Sequence, residues 1–219
     1  MKKAIYIFGI LLFLGCASKK AKKNILNEEN ITKSIEEITL SIAEKSIVND
    51  FLDIELKKDK YKNYKDFQLL LIQEAIGKLP SLTIYRYCYE ERNLRVRSAT
   101  NKDWILDGND IKNIQDTLQN KKYLWKTTDI TNFKVNTIEV DIINKSTKSY
   151  KEYEKYNNNL IIYLSIPLFI KPNYALISYK CVKSWYGYST VDMFTVLLKK
   201  AENEKWIIDS YYYDPNSSW

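Results

Sequence analysis

Apolar residues in the first third of the chain recur at steps of three and four, the spacing that places side chains on one face of an α-helix. A first stripe comprises Ile31, Ile35, Ile38 and Ile42. A second stripe comprises Ile47, Phe51 and Ile54, flanked by Leu52 and Leu56. Ser34 and Glu37 have the spacing of a capping box. The pattern predicts one long helix or two shorter ones.

The middle of the chain predicts two further helices and one ambiguous element. A helix is predicted over 66–78, with an apolar face of Phe67, Leu70, Leu71, Ala75 and Ile76. Asp66 is its expected N-cap, and Gly77 and Pro80 are its expected stop signals. In the segment 81–89, tyrosines alternate with other residues after a run that contains β-branched residues. This favours a strand, although a helix fits almost as well. A loop is predicted over 91–103, and a short helix is predicted over 109–120.

Beyond residue 134 the pattern changes to short runs of β-branched and aromatic residues separated by turns. The predicted strands are 134–143, 160–170, 174–183, 190–200 and 205–213, with a long polar loop over 144–159. Connections this short require antiparallel pairing. The fold class predicted is therefore α+β, with N-terminal helices packed on one face of a curved C-terminal antiparallel meander.

The N-terminus has the parts of a secretory signal peptide. Two lysines, Lys2 and Lys3, precede an uncharged apolar run of 12 residues from Ala4 to Gly15. A permanent membrane-spanning helix needs roughly 20 residues. We therefore expect this run to direct export and then to be removed.

The run ends in Phe13-Leu14-Gly15-Cys16, which resembles the lipobox of bacterial lipoproteins. Phe13 departs from the leucine that is usual three residues before the cysteine. The resemblance implies that Cys16 receives a diacylglyceryl group and becomes the first residue of the mature protein. It also implies a lipid-anchored protein of the bacterial cell envelope, facing the periplasm or the exterior. The expected organisation is a signal peptide over 1–15, a tether over 16–29 and a single domain over 30–219.

Charge and composition limit the classes of partner that the protein is expected to bind. The net charge of +7 includes the two leader lysines, and four more lie in the tether as Lys19, Lys20, Lys22 and Lys23. The folded part is thus close to neutral, which gives a nucleic-acid partner little support. The tether lysines either strengthen attachment to anionic lipid or only keep the tether solvated. The expected partners are the lipid bilayer, through Cys16, and an envelope protein or a glycan.

The chain has no histidine, which excludes Ser-His-Asp and Cys-His catalysis and histidine-containing zinc sites. No phosphate-binding or dinucleotide-binding glycine motif occurs, so no catalytic residue, metal site or cofactor is predicted. Glycan hydrolysis needs only two carboxylates. The acidic residues available for it are Glu90, Glu91, Asp103, Asp107, Asp110 and Asp192. Asp107 and Asp110 fit a helix cap better than a calcium loop.

Cys88 and Cys181 remain once Cys16 carries lipid. In an oxidising compartment an even pair can form a disulfide. Two cysteines this far apart in sequence specify no geometry, so one disulfide and two separate buried thiols both remain open.

The most suggestive surface motif is Trp185-Tyr186-Gly187-Tyr188, at a predicted hairpin tip. Trp185, Tyr186 and Tyr188 could form a flat recognition patch for a sugar ring, a peptide or a protein, since large rigid aromatic side chains give contact area at low entropic cost. The alternative is that they fold back onto the sheet as a satellite cluster. In Tyr211-Tyr212-Tyr213, strand alternation should send Tyr212 to one face and the other two to the opposite face.

The last predicted hairpin, 195–208, is similar to hairpins of NTF2-like folds and of Bacteroidetes-type envelope lipoproteins. This resemblance assigns no functional residue. The sequence favours a non-catalytic binding domain of unknown ligand that is anchored in the cell envelope. The alternatives are an immunity lipoprotein that protects against a toxin, and a carboxylate-based glycan hydrolase.

Overall fold

The computed structural model describes residues 39–91, 104–119 and 121–213, all of them within one compact unit, Glu36–Trp219. Its helices are α1 (Ile42–Glu55), α2 (Lys78–Glu91), α3 (Gly108–Thr117), α4 (Val140–Ser146) and α5 (Tyr150–Glu154), with 3-10 helices at Asp59–Tyr64 and Thr127–Asp129. Its strands are β1 (Gln68–Ile72), β2 (Val135–Ile138), β3 (Asn159–Leu164), β4 (Leu168–Lys171), β5 (Tyr174–Ser184), β6 (Tyr188–Lys200) and β7 (Trp206–Tyr212). The predicted signal peptide and tether, 1–29, lie outside the described residues.

The seven strands form one mixed sheet in the order β2-β1-β3-β5-β6-β7, with β4 also paired to β5. The α+β class and the antiparallel strands of the C-terminal half are confirmed. The sheet also contains two parallel pairings that the sequence did not predict, because β1 lies between β2 and β3 and runs parallel to both.

The helix predicted over 66–78 is wrong, since this segment contains β1. Leu70 and Leu71 face opposite sides of the sheet, and each joins a different buried cluster. A strand buried on both faces has a continuous apolar run, which periodicity alone cannot distinguish from a short helix. Pro80 does not end a helix but lies in the first turn of α2, where proline is tolerated. The segment 81–89 is therefore helical and not a strand.

Helix α1 begins with the capping box Ser41–Glu44, in which each side chain binds the other residue's backbone N–H. The pair Ser34–Glu37 lies outside the described residues, as does most of the first apolar stripe. In the second stripe, Phe51 is fully buried. Its ring packs edge-on against Tyr179 and Phe194, at centroid distances of 5.3 and 6.4 Å. This contact fixes α1 on the sheet.

Strand β5 has apolar residues on both faces, so the sheet is covered on both sides. Tyr179 and Cys181 lie in the cluster beneath α1, whereas Leu176 lies in the cluster beneath α2. The expectation of helices on a single face is therefore wrong. Pure alternation of apolar and polar residues would mark a one-sided sheet, and β5 lacks it.

Two short helices, α4 and α5, occupy half of the segment 144–159, for which a long loop is predicted from the sequence. At the other end of the sheet the predicted alternation of the three tyrosines is confirmed. Tyr212 contacts Tyr85 of α2 at a centroid distance of 5.1 Å, and Tyr211 contacts Phe194 on the opposite face at 5.0 Å.

Candidate functional site

A surface cavity of about 580 Å³ lies where the end of α1, the 3-10 helix Asp59–Tyr64 and the first residues of β1 and β2 meet. Its aromatic lining comprises Tyr61, Tyr64, Phe67 and Phe133. The rings of Tyr64 and Phe67 meet edge to face at 5.2 Å, and the Phe67 N–H donates to the Tyr64 carbonyl at 3.0 Å. The tight turn after the 3-10 helix therefore fixes the aromatic wall of the cavity.

The charged groups that line this cavity are all positive. They belong to Lys57, Lys58, Lys62, Lys65 and Lys134. No carboxylate is among the residues that line it, and the other polar side chains are the amides of Gln68 and Asn136 and the hydroxyls of the two tyrosines. A concave surface with charges of one sign concentrates counter-ions of the other sign. We call this site the lysine cavity.

Some of these lysines form ion pairs with carboxylates that do not line the cavity. Lys57 Nζ lies 2.8 Å from Asp53, and Lys62 Nζ lies 3.0 Å from Asp59. Both pairs are solvent-exposed, and such pairs are weak and easily exchanged. Lys65 and Lys134 are exposed, and neither has an ion pair within the described ranges of the chain. Their ammonium groups are therefore available to a ligand.

Beneath the cavity, a fully buried carboxylate holds the end of α1 to the sheet. Glu55 has no solvent exposure, and its Oε2 lies 2.6 Å from Lys58 Nζ and accepts a hydrogen bond from the Tyr211 hydroxyl at 3.1 Å. Lys60 forms ion pairs with both Glu55 and Asp192. Burial lowers the pKa of Lys60, but these two carboxylates outweigh that effect and hold its pKa above the ordinary value. The positive charges of Lys58 and Lys60 thus compensate the negative charges of the buried Glu55 and the partly buried Asp192.

The network continues into the core through hydroxyl and thiol groups. The Tyr61 and Tyr179 hydroxyls lie 3.1 Å apart, and both phenols have a pKa raised by burial. Burial also raises the pKa of the Cys181 thiol to about 12, so this thiol stays protonated and unreactive at neutral pH. These groups support the floor of the lysine cavity and do not supply a nucleophile to it.

The predicted aromatic patch at the β5–β6 hairpin divides into two parts. Trp185 and Tyr186 are 48% and 91% exposed, with ring centroids 5.4 Å apart. Tyr186 has a φ of 51° and Gly187 a φ of 108°. The left-handed conformation is unfavourable for a bulky side chain, so Tyr186 is held outward at a cost in stability.

Tyr188, the third residue of that patch, turns back toward α4 and α5. Its hydroxyl bonds the Ser146 hydroxyl at 2.6 Å, and its ring meets Tyr153 edge to face at 5.3 Å. The Tyr153 hydroxyl in turn accepts a hydrogen bond from the Gly187 N–H at 2.8 Å. The patch of three aromatics is therefore corrected to an exposed pair, with Tyr188 and Tyr153 bracing the turn beneath it.

Lys183 connects the hairpin to the lysine cavity. Its Nζ lies 5.6 Å from the ring centroid of Tyr64, which lines the cavity, and 5.7 Å from that of Trp185. It also pairs in register with Leu160, another lining residue. Both contacts are within the range of cation–π attraction. The cavity, Lys183 and the exposed aromatic pair therefore form one continuous surface on one face of the sheet.

Cys88 and Cys181 both remain as thiols and are not joined to each other. Cys181 lies beneath α1 and Cys88 lies in the cluster beneath α2, on the other side of the sheet. Of the two alternatives that the sequence leaves open, the structure therefore contains two separate buried thiols, because the sheet lies between them. The lipid-attachment residue Cys16 lies outside the described residues.

Four of the six acidic residues considered for catalysis, Glu90, Asp107, Asp110 and Asp192, have partners within the fold. Asp107 is the N-cap of α3 and forms a capping box with Asp110, which agrees with the cap interpretation. Glu90 lies 3.8 Å from Arg86, and Asp192 pairs with Lys60. Asp103 lies outside the described residues. Within the described ranges no three His, Cys, Asp or Glu side chains gather in a way that could hold a metal ion.

The sequence pattern predicts the hairpin but not the lysine cavity. A local signal was present, because Lys57, Lys58, Lys62 and Lys65 alternate with Tyr61 and Tyr64 over nine residues. Each lysine is individually unremarkable in a lysine-rich chain. Only the packing of the 3-10 helix beside β2 shows that they face one concave surface with Lys134.

In residues 39–91, 104–119 and 121–213, no helix has the length and hydrophobicity that a membrane crossing requires. Comparison of the chain with known protein families, with curated proteins and with solved structures finds no match.

Proposed function

We propose that this protein is a lipid-anchored binding domain of the bacterial cell envelope, and that the lysine cavity is the site where it captures an anionic ligand. The observation that carries the proposal is a concave surface with five lysines and no carboxylate in its lining. Opposite charges would accelerate encounter with an acidic ligand, and the aromatic wall would contribute apolar contact once the ligand is bound.

The envelope setting rests on the N-terminal sequence, where a short apolar leader stops at Gly15-Cys16. A diacylated cysteine carries two chains, and two chains give stable membrane attachment where one gives only marginal attachment. The wild-type protein should therefore fractionate with membranes and begin at Cys16. The variant Cys16→Ser should be released from the membrane fraction. A native N-terminus at Met1, or a Cys16→Ser variant that stays membrane-bound, would disprove the anchor.

The binding site is tested by charge reversal in the full chain, purified in a non-ionic detergent. The probes are hexaglutamate, N-acetylated and C-terminally amidated, and a hexameric oligogalacturonate, so that both carry six carboxylates. We expect the double variant Lys65→Glu/Lys134→Glu to bind both probes at least tenfold more weakly than wild type, and wild-type affinity to fall as salt rises. Titration calorimetry measures both effects.

The matched control for charge reversal is Lys205→Glu. Lys205 is exposed in the turn between β6 and β7, at the opposite end of β6 from the Trp185 hairpin. We expect it to bind both probes as wild type does. If wild type binds neither probe, or if Lys205→Glu weakens binding as much as the double variant does, the lysine cavity is not the binding site.

A further inference from the structure

The exposed pair Trp185 and Tyr186 contributes little to the fold. Tyr186 is 91% exposed at a positive φ, whereas glycine or asparagine would adopt this conformation with less strain. Strained, exposed aromatic residues on a braced turn are a recurrent feature of ligand-binding loops. The brace consists of Tyr153, whose hydroxyl accepts the Gly187 N–H, and Tyr188, which is bonded to Ser146. The turn thus presents both rings to solvent, Tyr186 almost fully and Trp185 by about half.

These ring faces lie along the same surface as the lysine cavity. Lys183 contacts both the Tyr64 ring at the cavity and the Trp185 ring at the hairpin. A ligand that enters the cavity and continues past Lys183 therefore meets a cation first and an aromatic face next. This order of charges and flat rings suits an extended ligand that carries both acidic groups and apolar ring faces.

We propose that the ligand is an acidic glycan, whose carboxylates bind the cavity lysines and Lys183 and whose sugar rings stack on Trp185 and Tyr186. The inference rests on the proposed function, since it names the ligand of the same site. Pyranose rings present flat C–H faces that pack on aromatic rings. Their hydroxyl groups match the exposed amides of Gln68 and Asn136, which can both donate and accept hydrogen bonds.

An acidic peptide and a single-stranded nucleic acid are the competing ligands. Peptides supply acidic groups but no regular series of flat aliphatic rings. Single-stranded nucleic acids stack on aromatic side chains, often with arginine beside the stacked base. The charged groups of this lining are lysines, and an exported protein meets envelope polysaccharide. These points favour the glycan.

The experiment compares three probes that each carry six negative charges, on the full chain in detergent: hexameric oligogalacturonate, the capped hexaglutamate, and hexathymidylate with a methyl-esterified 5′-phosphate. We expect wild type to bind oligogalacturonate about tenfold more tightly than either other probe. The variant Trp185→Ala should lose this tenfold preference while its affinity for hexaglutamate stays unchanged, because the lysines remain. The double variant Lys65→Glu/Lys134→Glu should weaken binding of all three probes.

Phe169→Ala is the matched control for the aromatic substitution. Phe169 is a partly exposed aromatic residue on β4, which pairs with the opposite end of β5 from the hairpin. We expect it to bind oligogalacturonate as wild type does. Circular dichroism of each variant separates lost binding from lost folding.

The possible failures point to different conclusions. If hexaglutamate or hexathymidylate binds as tightly as oligogalacturonate, or if Trp185→Ala retains the preference, the glycan assignment is wrong while the anionic site stands. If none of the three probes binds to wild type, both the glycan assignment and the proposed function are wrong.

Discussion

Lys58 Nζ lies 2.6 Å from Glu55 Oε2, so a lysine that lines a surface cavity is bound to a carboxylate with no solvent exposure. The same lysine lies 4.2 Å from the centroid of the Tyr211 ring. One side chain therefore links the end of α1, the last strand of the sheet and the cavity wall. Lys58 belongs both to the lysine cavity and to the buried ion-pair network. Substitutions in the cavity should therefore affect the core, and substitutions in the core should affect the cavity.

Replacing Glu55 with glutamine should destabilise the protein strongly. The change preserves shape but removes the shared counter-ion of Lys58 and Lys60, whose side chains are partly exposed, and leaves Lys60 with Asp192 alone. Breaking a fully buried ion pair costs about 3–5 kcal/mol, and the partial exposure of the two lysines reduces that cost. We expect a loss of about 2 kcal/mol in the free energy of unfolding, measured by urea denaturation. Asp53→Asn is the control, since its pair with Lys57 is exposed on the same helix and should cost about 0.5 kcal/mol or less.

The stability of the protein should fall in acid partly through Asp129. Burial raises the pKa of this carboxyl, but hydrogen bonds from the Tyr123 hydroxyl and the Lys126 N–H, together with Lys45, outweigh burial and lower the pKa overall. A lowered folded-state pKa stabilises the fold above the unfolded-state value of about 3.9. This stabilisation is lost as the pH falls through the folded-state pKa.

The variant Asp129→Asn should therefore show a shallower decline in stability below pH 4 than wild type. One group contributes at most about 1.4 kcal/mol per pH unit to the slope. Urea unfolding at a series of pH values between 5 and 2.5 measures it. Asp59→Asn, at an almost fully exposed side chain, should leave the slope unchanged. An identical acid decline in wild type and Asp129→Asn would contradict the assignment.

The two buried thiols should be inert in the folded protein and both reactive after unfolding. Cys88 and Cys181 are fully buried, and burial raises the pKa of Cys181 to about 12. A thiol reagent at pH 8 should therefore detect neither thiol in native protein and two in denatured protein without reductant. Detection of no thiol in the denatured, unreduced sample would show that the cysteines pair after all.

Tyr186 and Tyr188 should respond to substitution in opposite directions. Tyr186→Gly removes an exposed ring from a positive φ, and we expect it to stabilise the protein by about 1 kcal/mol or less. Tyr188→Phe removes the hydrogen bond to Ser146 and should destabilise the protein by about 1 kcal/mol. Thermal or urea unfolding distinguishes the two. A destabilised Tyr186→Gly variant would mean that the exposed ring supports the fold and is not free to serve a ligand.

Local patterns in the sequence were sufficient for elements whose signals lie within one segment. The helix predicted over 109–120 is α3, Gly108–Thr117, because an N-cap and an apolar face specify a helix without help from other segments. The split of Tyr211 and Tyr212 between the two faces of the sheet follows from strand alternation alone. The leader proposed over 1–15 also rests on contiguous residues alone, and it stays a prediction.

Contacts between distant segments determined the elements whose local sequence signal was ambiguous. The same contacts brought the residues of the lysine cavity together. Residues 68–72 form a strand because β2 and β3, which are distant in sequence, supply hydrogen-bonding partners on both sides. The lysine cavity needs Lys134 beside the segment 57–65, and Lys183 of β5 connects it to the hairpin. Cys88 and Cys181 stay apart because the sheet lies between them. Charge, aromaticity and helix caps are local properties, whereas proximity between distant segments depends on the packing of the whole chain.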